Sequence, residues 1–229
     1  MSGYKVRIST VRVGHLDLAI RSLEDKQQFS DPHGIAERAG ISSATWPLFG
    51  VLWPAGRVLA EVMTCFPVAG TRILEVGCGL GLSSLILQGR GADVTASDHH
   101  PLAEEFLREN AALNHLPPLP FRLAQWAGPN PDLGRFGLII GSDVLYERDH
   151  VALLSAFLAE HAEPDCEILI TDPGRNHANA LTGALARQGY RCDQQRRAFH
   201  ADDKPPFRGR LLHYHRGLAG PSDNGAMSQ

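Results

Sequence analysis

Lysine is almost missing from this sequence: three lysines stand against 19 arginines in 229 residues, and none lies between Lys26 and Lys204. Any glycine-rich turn in that interval therefore lacks the Gly-Lys-Ser/Thr ending that grips a nucleoside triphosphate. Cysteine is sparse as well. Cys65, Cys78, Cys166 and Cys192 form no C-x-x-C pair, so neither a zinc site nor a redox dithiol is expected, and reduced thiols in a cytoplasm are the natural reading. No apolar run approaches the ~18 residues of a membrane span, and the opening "MSGYKVRIST" has no apolar stretch of the secretory kind. A net charge of −3 gives no basic surface to attract nucleic acid. The sequence thus points away from membrane and nucleic-acid partners and towards a soluble protein, a monomer or a weak homo-oligomer.

The chain has 43% hydrophobic and 21% charged residues, the balance of a domain that buries an ordinary core. Residues 1–45 read as a polar, irregular extension, placed where it can cover an active site. Within it "VRISTVRV" has strand character and "DPHGIAERAGISSAT" mixes turn formers with a short helical stretch. From residue 46 to 216 the pattern is that of one domain. "WPLFGVLWPAGRVLAEVMTCF" carries a helix that starts near Pro54, with Val58, Leu59, Val62 and Met63 at helical spacing. Strand and helix then alternate: "TRILEV", "GLSSLILQGRG", "ADVTASD", "PLAEEFLRENAALNHL", "FRLAQW", "RFGLIIGSDVLY", "DHVALLSAFLAEH", "CEILITD" and "ANALTGALARQGY". Two strands without an intervening helix close the pattern, "YRCDQQRRAF" and "RGRLLHYHR", around the loop "HADDKPPF". The small, polar end, residues 217–229, reads as disordered. Alternation implies a mostly parallel sheet covered by helices on both faces. The closing hairpin adds one antiparallel strand, which gives the seven-stranded, Rossmann-like arrangement of class I methyltransferases.

"EVGCGLG" ends the first strand of that core, where ligands bind in doubly wound sheets. Gly77, Gly79 and Gly81 let the backbone turn tightly and a ligand come close. The dinucleotide fingerprint needs a small residue where Leu82 stands. Glu75, just before the glycines, would repel a pyrophosphate and suits a cationic group such as an α-ammonium. Asp98 closes the second strand about 20 residues on, where a carboxylate accepts ribose hydroxyls. A ligand with a ribose, a positive end and no phosphate is S-adenosylmethionine.

On the acceptor side, "GSDVLYERD" ends the fourth strand. Asp143 and Tyr146 form D-x-x-Y. Asp143 either orients an attacking nitrogen by accepting its hydrogen bond or caps the next helix. Tyr146 either walls the pocket, favouring a cation through its ring, or packs in the core. Asn/Asp-Pro-Pro-Tyr, which stacks a flipped base, is absent, as is the Pro-Cys pair of cytosine-C5 enzymes. Trp126 can lie beside an adenine or in the core. Trp46, Phe49 and Trp53 form an aromatic cluster that is either core or a cover over the open end of the sheet. His99 and His100 are adjacent and complete no metal-ligand spacing; they face solvent or flank the cofactor. No metal site is expected.

Over residues 45–172 these pieces resemble the "family 16" seven-strand protein-lysine methyltransferases, in a bacterial-type member. The pieces are "GVLWPAGRVLAEVM", "ILEVGCGLGLSSLIL", "DVTASDHHPLAEEFLRENAALN", Trp126 and "LIIGSDVLYERDHVALL". The resemblance implies that Glu75, Gly77 and Gly79 bind the methionine part of S-adenosylmethionine and Asp98 its ribose. It places Trp126 and Ser142 around the adenosine, Trp53 near the cofactor, and Asp143 and Tyr146 at the acceptor. Ser142 departs from the alanine common in the family. The implied activity is methyl transfer to a lysine side chain of a protein. A small-molecule amine as acceptor, or a non-catalytic binding module on the same fold, is the alternative.

Overall fold

The computed structural model describes residues 3–198 and 207–216. Most of the expected closing loop, and the tail at 217–229, lie outside the described residues. The chain begins with an antiparallel hairpin, β1 (Val6–Val13) and β2 (Leu16–Leu23), followed by a single helical turn, α1 (Ile35–Arg38), and a short 3-10 helix at Trp46–Gly50. Then come α2 (Pro54–Met63), β3 (Arg72–Val76), α3 (Leu82–Gly89), β4 (Asp93–Asp98), α4 (Ala103–Leu113) and β5 (Phe121–Leu123). The chain continues with β6 (Phe136–Ser142), α5 (His150–His161), β7 (Ala162–Asp172), α6 (Ala178–Arg187), β8 (Arg191–Ala198) and β9 (Arg208–His215).

Seven strands form the main sheet in the order β5-β4-β3-β6-β7-β9-β8. β9 is antiparallel to both its neighbours, and the other paired strands are parallel. The order reverses beside β3, and that switch point is where the glycine turn emerges. The period of two along each strand sorts side chains to opposite faces. Ile73, Leu138 and Ile140 join α2, α3 and α4 in one core, while Leu74, Val76, Ile139 and Ile168 join α5 and α6 in the other.

The N-terminal segment differs from its polar, irregular reading. It contains two strands, and Val11, Val13, Leu18, Ile20 and Leu23 are buried in the same core as α3 and α4. The intervening Arg12 and Asp17 pair with each other on the exposed face, so polar residues outside mask a hydrophobic face inside. α4 holds the hairpin by imitating a third strand. Asn114 accepts from the Ala19 N–H (2.9 Å) and donates to the Ala19 carbonyl (2.8 Å). Asn110 accepts from the Arg21 N–H (2.7 Å) and donates to the carbonyls of Arg21 (3.3 Å) and Leu80 (3.1 Å). Four residues of helix rise about 6 Å, close to two residues of strand, so the two amides meet alternate backbone groups of β2.

Two strand boundaries also differ. β5 ends at Leu123, and Trp126 stands in the turn beyond it rather than closing the strand. β7 starts at Ala162, earlier than its apolar run, with a register shift against β6 between Phe136 and Leu138.

Candidate functional site

A cavity of about 600 Å³ opens at the carboxyl ends of β3, β4 and β6. Its wall includes Trp53, Glu75, Gly77, Gly79, Asp98, Trp126, Ser142, Asp143 and Tyr146. Of the expected site residues, Gly81 alone is not brought there: it precedes α3 with φ 74°, and a side chain on it would run into Leu107.

The glycine turn is built for close approach. Gly77, Gly79 and Gly81 all have positive φ. A Cβ on Gly79 would lie 2.8 Å from the Phe49 carbonyl oxygen, so the turn and the segment from Trp46 to Trp53 pack backbone to backbone. In that segment Trp46 and Phe49 are buried, whereas Trp53 faces the cavity with its indole N–H donating to the Leu48 carbonyl at 2.8 Å. Phe49 borders the cavity as well, so Trp46 is core, Trp53 is wall, and Phe49 is both.

Glu75 is buried beneath the turn and accepts hydrogen bonds from the Ser84 N–H (2.9 Å) and the Ser84 hydroxyl. It thereby satisfies an orphan donor in the first turn of α3. Burial pushes its carboxyl up to about 7, with Ser84 opposing. Asp98 accepts from the Gly79 N–H and the His100 N–H, both at 2.8 Å. A carboxylate offers about four lone-pair sites, so both oxygens keep capacity for hydroxyl donors from the cavity.

His99 and His100 diverge. His99 is half-buried with Nδ1 3.5 Å from Asp98, while His100 is buried and stacks on Phe49 at 3.8 Å between ring centroids. The Leu102 N–H donates to His100 Nδ1 at 3.2 Å, and burial drives the imidazole's pKa down to about 3.

Asp143 caps no helix. It leaves β6 with φ 53°, its N–H donating to the Thr171 carbonyl at 2.8 Å, and its carboxylate is gripped at both oxygens by Arg175 (2.5 and 2.8 Å). Arg175 follows β7 in "TDPGRNH", and the sequence pattern alone did not single it out. The signal for it was positional, since residues just after parallel strands line the switch-point crevice. Tyr146, largely buried, has its hydroxyl pushed up to about 12 by burial, and His150 lies edge-to-face against it at 4.4 Å. His150 also meets Trp126 edge-to-face at 5.3 Å. It too was missed, because it reads as the first residue of a helix.

The charges on the wall discriminate between ligands. Four carboxylates line the cavity, Glu75, Asp98, Asp143 and Glu147, against one strong cation, Arg175, which Asp143 already neutralises. A pyrophosphate would meet net repulsion here. A sulfonium nucleoside, with a cationic end and ribose hydroxyls, meets no such repulsion on this wall. Glu147, Asp149 and His150 hold potential ligand atoms within 4.8 Å of one another, but both carboxylates are exposed. Among the described residues no helix is long and apolar enough to cross a membrane.

Comparison with known proteins gives the same direction. Residues 43–181 match the family model described as lysine methyltransferase. The chain is 33% identical over 133 residues to the electron transfer flavoprotein beta subunit lysine methyltransferase of Xenopus laevis, covering 56% of this chain and 53% of that protein. It is 29% identical over 164 residues to the histone-arginine methyltransferase METTL23 of the same organism, covering 67% and 70%. The chain thus spans about half the length of the first of these relatives. Both are vertebrate proteins, which gives no support to a bacterial-type assignment. Among solved structures, a ribosomal protein L11 methylase from Lactobacillus delbrueckii subsp. bulgaricus superposes with a TM-score of 0.61 at 19% identity, over 91% of this chain and 99% of that one; this likeness concerns the fold. With the family model covering residues 43–181, the chain belongs to the lysine methyltransferase family.

Proposed function

We propose that this chain binds S-adenosylmethionine and transfers its methyl group to the side-chain amine of a lysine on another protein. The single observation that carries the cofactor is the charge balance of the cavity: with Arg175 paired to Asp143, the carboxylates of Asp98 and Glu147 face no free arginine or lysine on the wall, and Glu75 adds a third when ionised. The bound cofactor would supply an electrophilic methyl on a sulfonium centre. The chain's own residues would position the reactants. Asp98 and the glycine turn fix the ribose and the amino-acid end, Trp126 and Ser142 flank the adenosine, and Tyr146 walls the region where an amine approaches. Transfer needs a neutral amine in line with the methyl, so orientation and proton removal are what the protein must provide. The relatives named as protein methyltransferases support a protein as partner, and a reduced cytoplasmic compartment suits the four free thiols.

The test is incubation of the purified chain and methyl-labelled S-adenosylmethionine with a lysate of its own cells, with Asp98→Ala as control. One labelled protein carrying methyl on lysine is expected, and calorimetry should show Asp98→Ala binding the cofactor at least ~10-fold more weakly, the cost of about one good hydrogen bond. Label confined to small molecules would replace the protein acceptor by a metabolite. Absence of cofactor binding to the wild type would remove the reading altogether. Arginine is the second acceptor to examine, since Asp143 already holds a guanidinium at two points; methyl on arginine in the labelled protein would decide for it.

A further inference from the structure

We propose that His150 is the base that takes the proton from the acceptor amine. The inference rests on the amine-methyltransferase reading above. A lysine ammonium has a pKa near ~10.4 and has no lone pair to attack with at neutral pH, so a proton acceptor must stand in the acceptor end of the cavity. Asp143 is poorly placed for this. Both of its oxygens are engaged by Arg175. The Asp143–Arg175 pair has another consequence: its charges cancel, so the carboxylate does not hold the amine in its cationic form. His100 is excluded because its Nδ1 accepts the Leu102 N–H and its ring resists protonation. His99 stands against Asp98, at the ribose end.

His150 has the geometry that is needed. It lines the cavity with Asp143 and Tyr146. Its Nδ1 is 3.0 Å from the Val144 carbonyl oxygen. A carbonyl can only accept, so Nδ1 carries the hydrogen, and Nε2 of the neutral ring is left with the basic lone pair. The rings of Tyr146 and Trp126 both pack edge-to-face against the imidazole. The charged groups around it are Glu147, whose Oε2 lies 3.6 Å from Nε2, Asp149 at the preceding position, and the Arg175–Asp143 pair across the wall. Glu147 is too far for a hydrogen bond to the neutral ring and close enough to pair with the imidazolium. The step balances simply. The ammonium N–H breaks and Nε2–H forms. The freed lone pair makes the N–CH₃ bond as S–CH₃ breaks, with its electron pair staying on sulfur. The imidazolium then returns its proton to water past the half-exposed Glu147.

The experiment compares wild type with His150→Asn, whose amide can keep the bond to the Val144 carbonyl but offers no base. The assay uses methyl-labelled S-adenosylmethionine and poly-L-lysine as the amine probe, over a range of pH. His150→Asn is expected to bind the cofactor with unchanged affinity by calorimetry and to lose ~10²-fold or more in kcat/KM at neutral pH, the usual share of a general base. It should recover at alkaline pH, where the amine deprotonates unaided, and with added imidazole. Long-range ¹H–¹⁵N spectra of the wild type should show His150 as the Nδ1–H tautomer. Turnover within ~2-fold of wild type with the same pH profile, or an Nε2–H tautomer, would overturn the base and leave the methyltransferase standing. A wild type that methylates neither poly-L-lysine nor any lysate protein on lysine would instead overturn the function, and this inference with it.

Discussion

Glu75 performs two tasks with one carboxyl group, and the tasks pull its proton in opposite directions. As a buried group it is penalised for charge, which raises its pKa to about 7; as the acceptor for Ser84 at the start of α3 it gains by being ionised. In the unliganded protein the first effect wins. The folded state therefore holds the proton more tightly than the unfolded chain, where the group titrates near its ordinary value of 4.5. Stability from this residue is fully present below about 4.5 and is lost as pH rises to about 7. A cofactor ammonium placed beside it reverses the preference by favouring the carboxylate. Cofactor affinity is thus expected to rise as pH climbs through about 7, with a proton released on binding below that value. Calorimetry at pH 6.5 in buffers of different ionisation enthalpy measures the release directly. Glu75→Gln should abolish it, and equal proton release by both proteins would separate Glu75 from the cofactor's charge.

Among the elements, α4 joins what the sequence presents as unrelated pieces. Asn110 bridges the hairpin and the glycine turn through Arg21 and Leu80, whereas Asn114 bonds the Ala19 backbone and the Asn110 carbonyl and makes no bond to the turn. Each loss leaves backbone groups without partners, at a cost of about 1–3 kcal/mol. Both Asn110→Ala and Asn114→Ala should lower the urea midpoint, while only Asn110→Ala weakens cofactor binding; equal binding losses in the two would refute this division. The alternating strands and helices, the single reversed strand and the glycine turn were legible because they rest on local rules: period, turn chemistry and strand order. Glu75, Asp98, Asp143 and Tyr146 were legible as members of motifs that lie on the cavity wall. The hairpin was half legible: "VRISTVRV" has strand character, but Arg12 and Asp17 on its outer face alternate with the apolar residues and give the segment a polar look. Arg175 and His150 were not, because their roles come from a contact across 32 residues and from a single tether to the Val144 carbonyl. Pairings of that kind leave no periodic trace.

At the scale of the whole molecule, the hairpin, the segment from Trp46 to Trp53, α2, α3 and α4 share one core against the sheet, and α5 and α6 share the other across the same strands. Tyr4 meets both Trp46 and Phe106 of α4, Phe106 meets Phe49, and the Trp46 ring also meets Phe49 and His100 beside the cavity. No apolar boundary divides the N-terminal 45 residues from the sheet, so they should not melt first as a separate unit. One cooperative thermal transition is expected for the described body. A ligand in the cavity touches residues from the Trp46–Trp53 segment, the glycine turn and the loops after β4, β6 and β7 together, so its binding energy is coupled to that whole transition. S-adenosylmethionine at 100 times its dissociation constant adds about 2.7 kcal/mol, which for a chain of this size raises the midpoint by roughly 5–10 °C. Scanning calorimetry with and without the cofactor measures both quantities. An early transition that the cofactor leaves in place, removed by deleting residues 1–45, would show that the hairpin folds apart from the site, and the shared core could not then be what holds the cavity's outer wall.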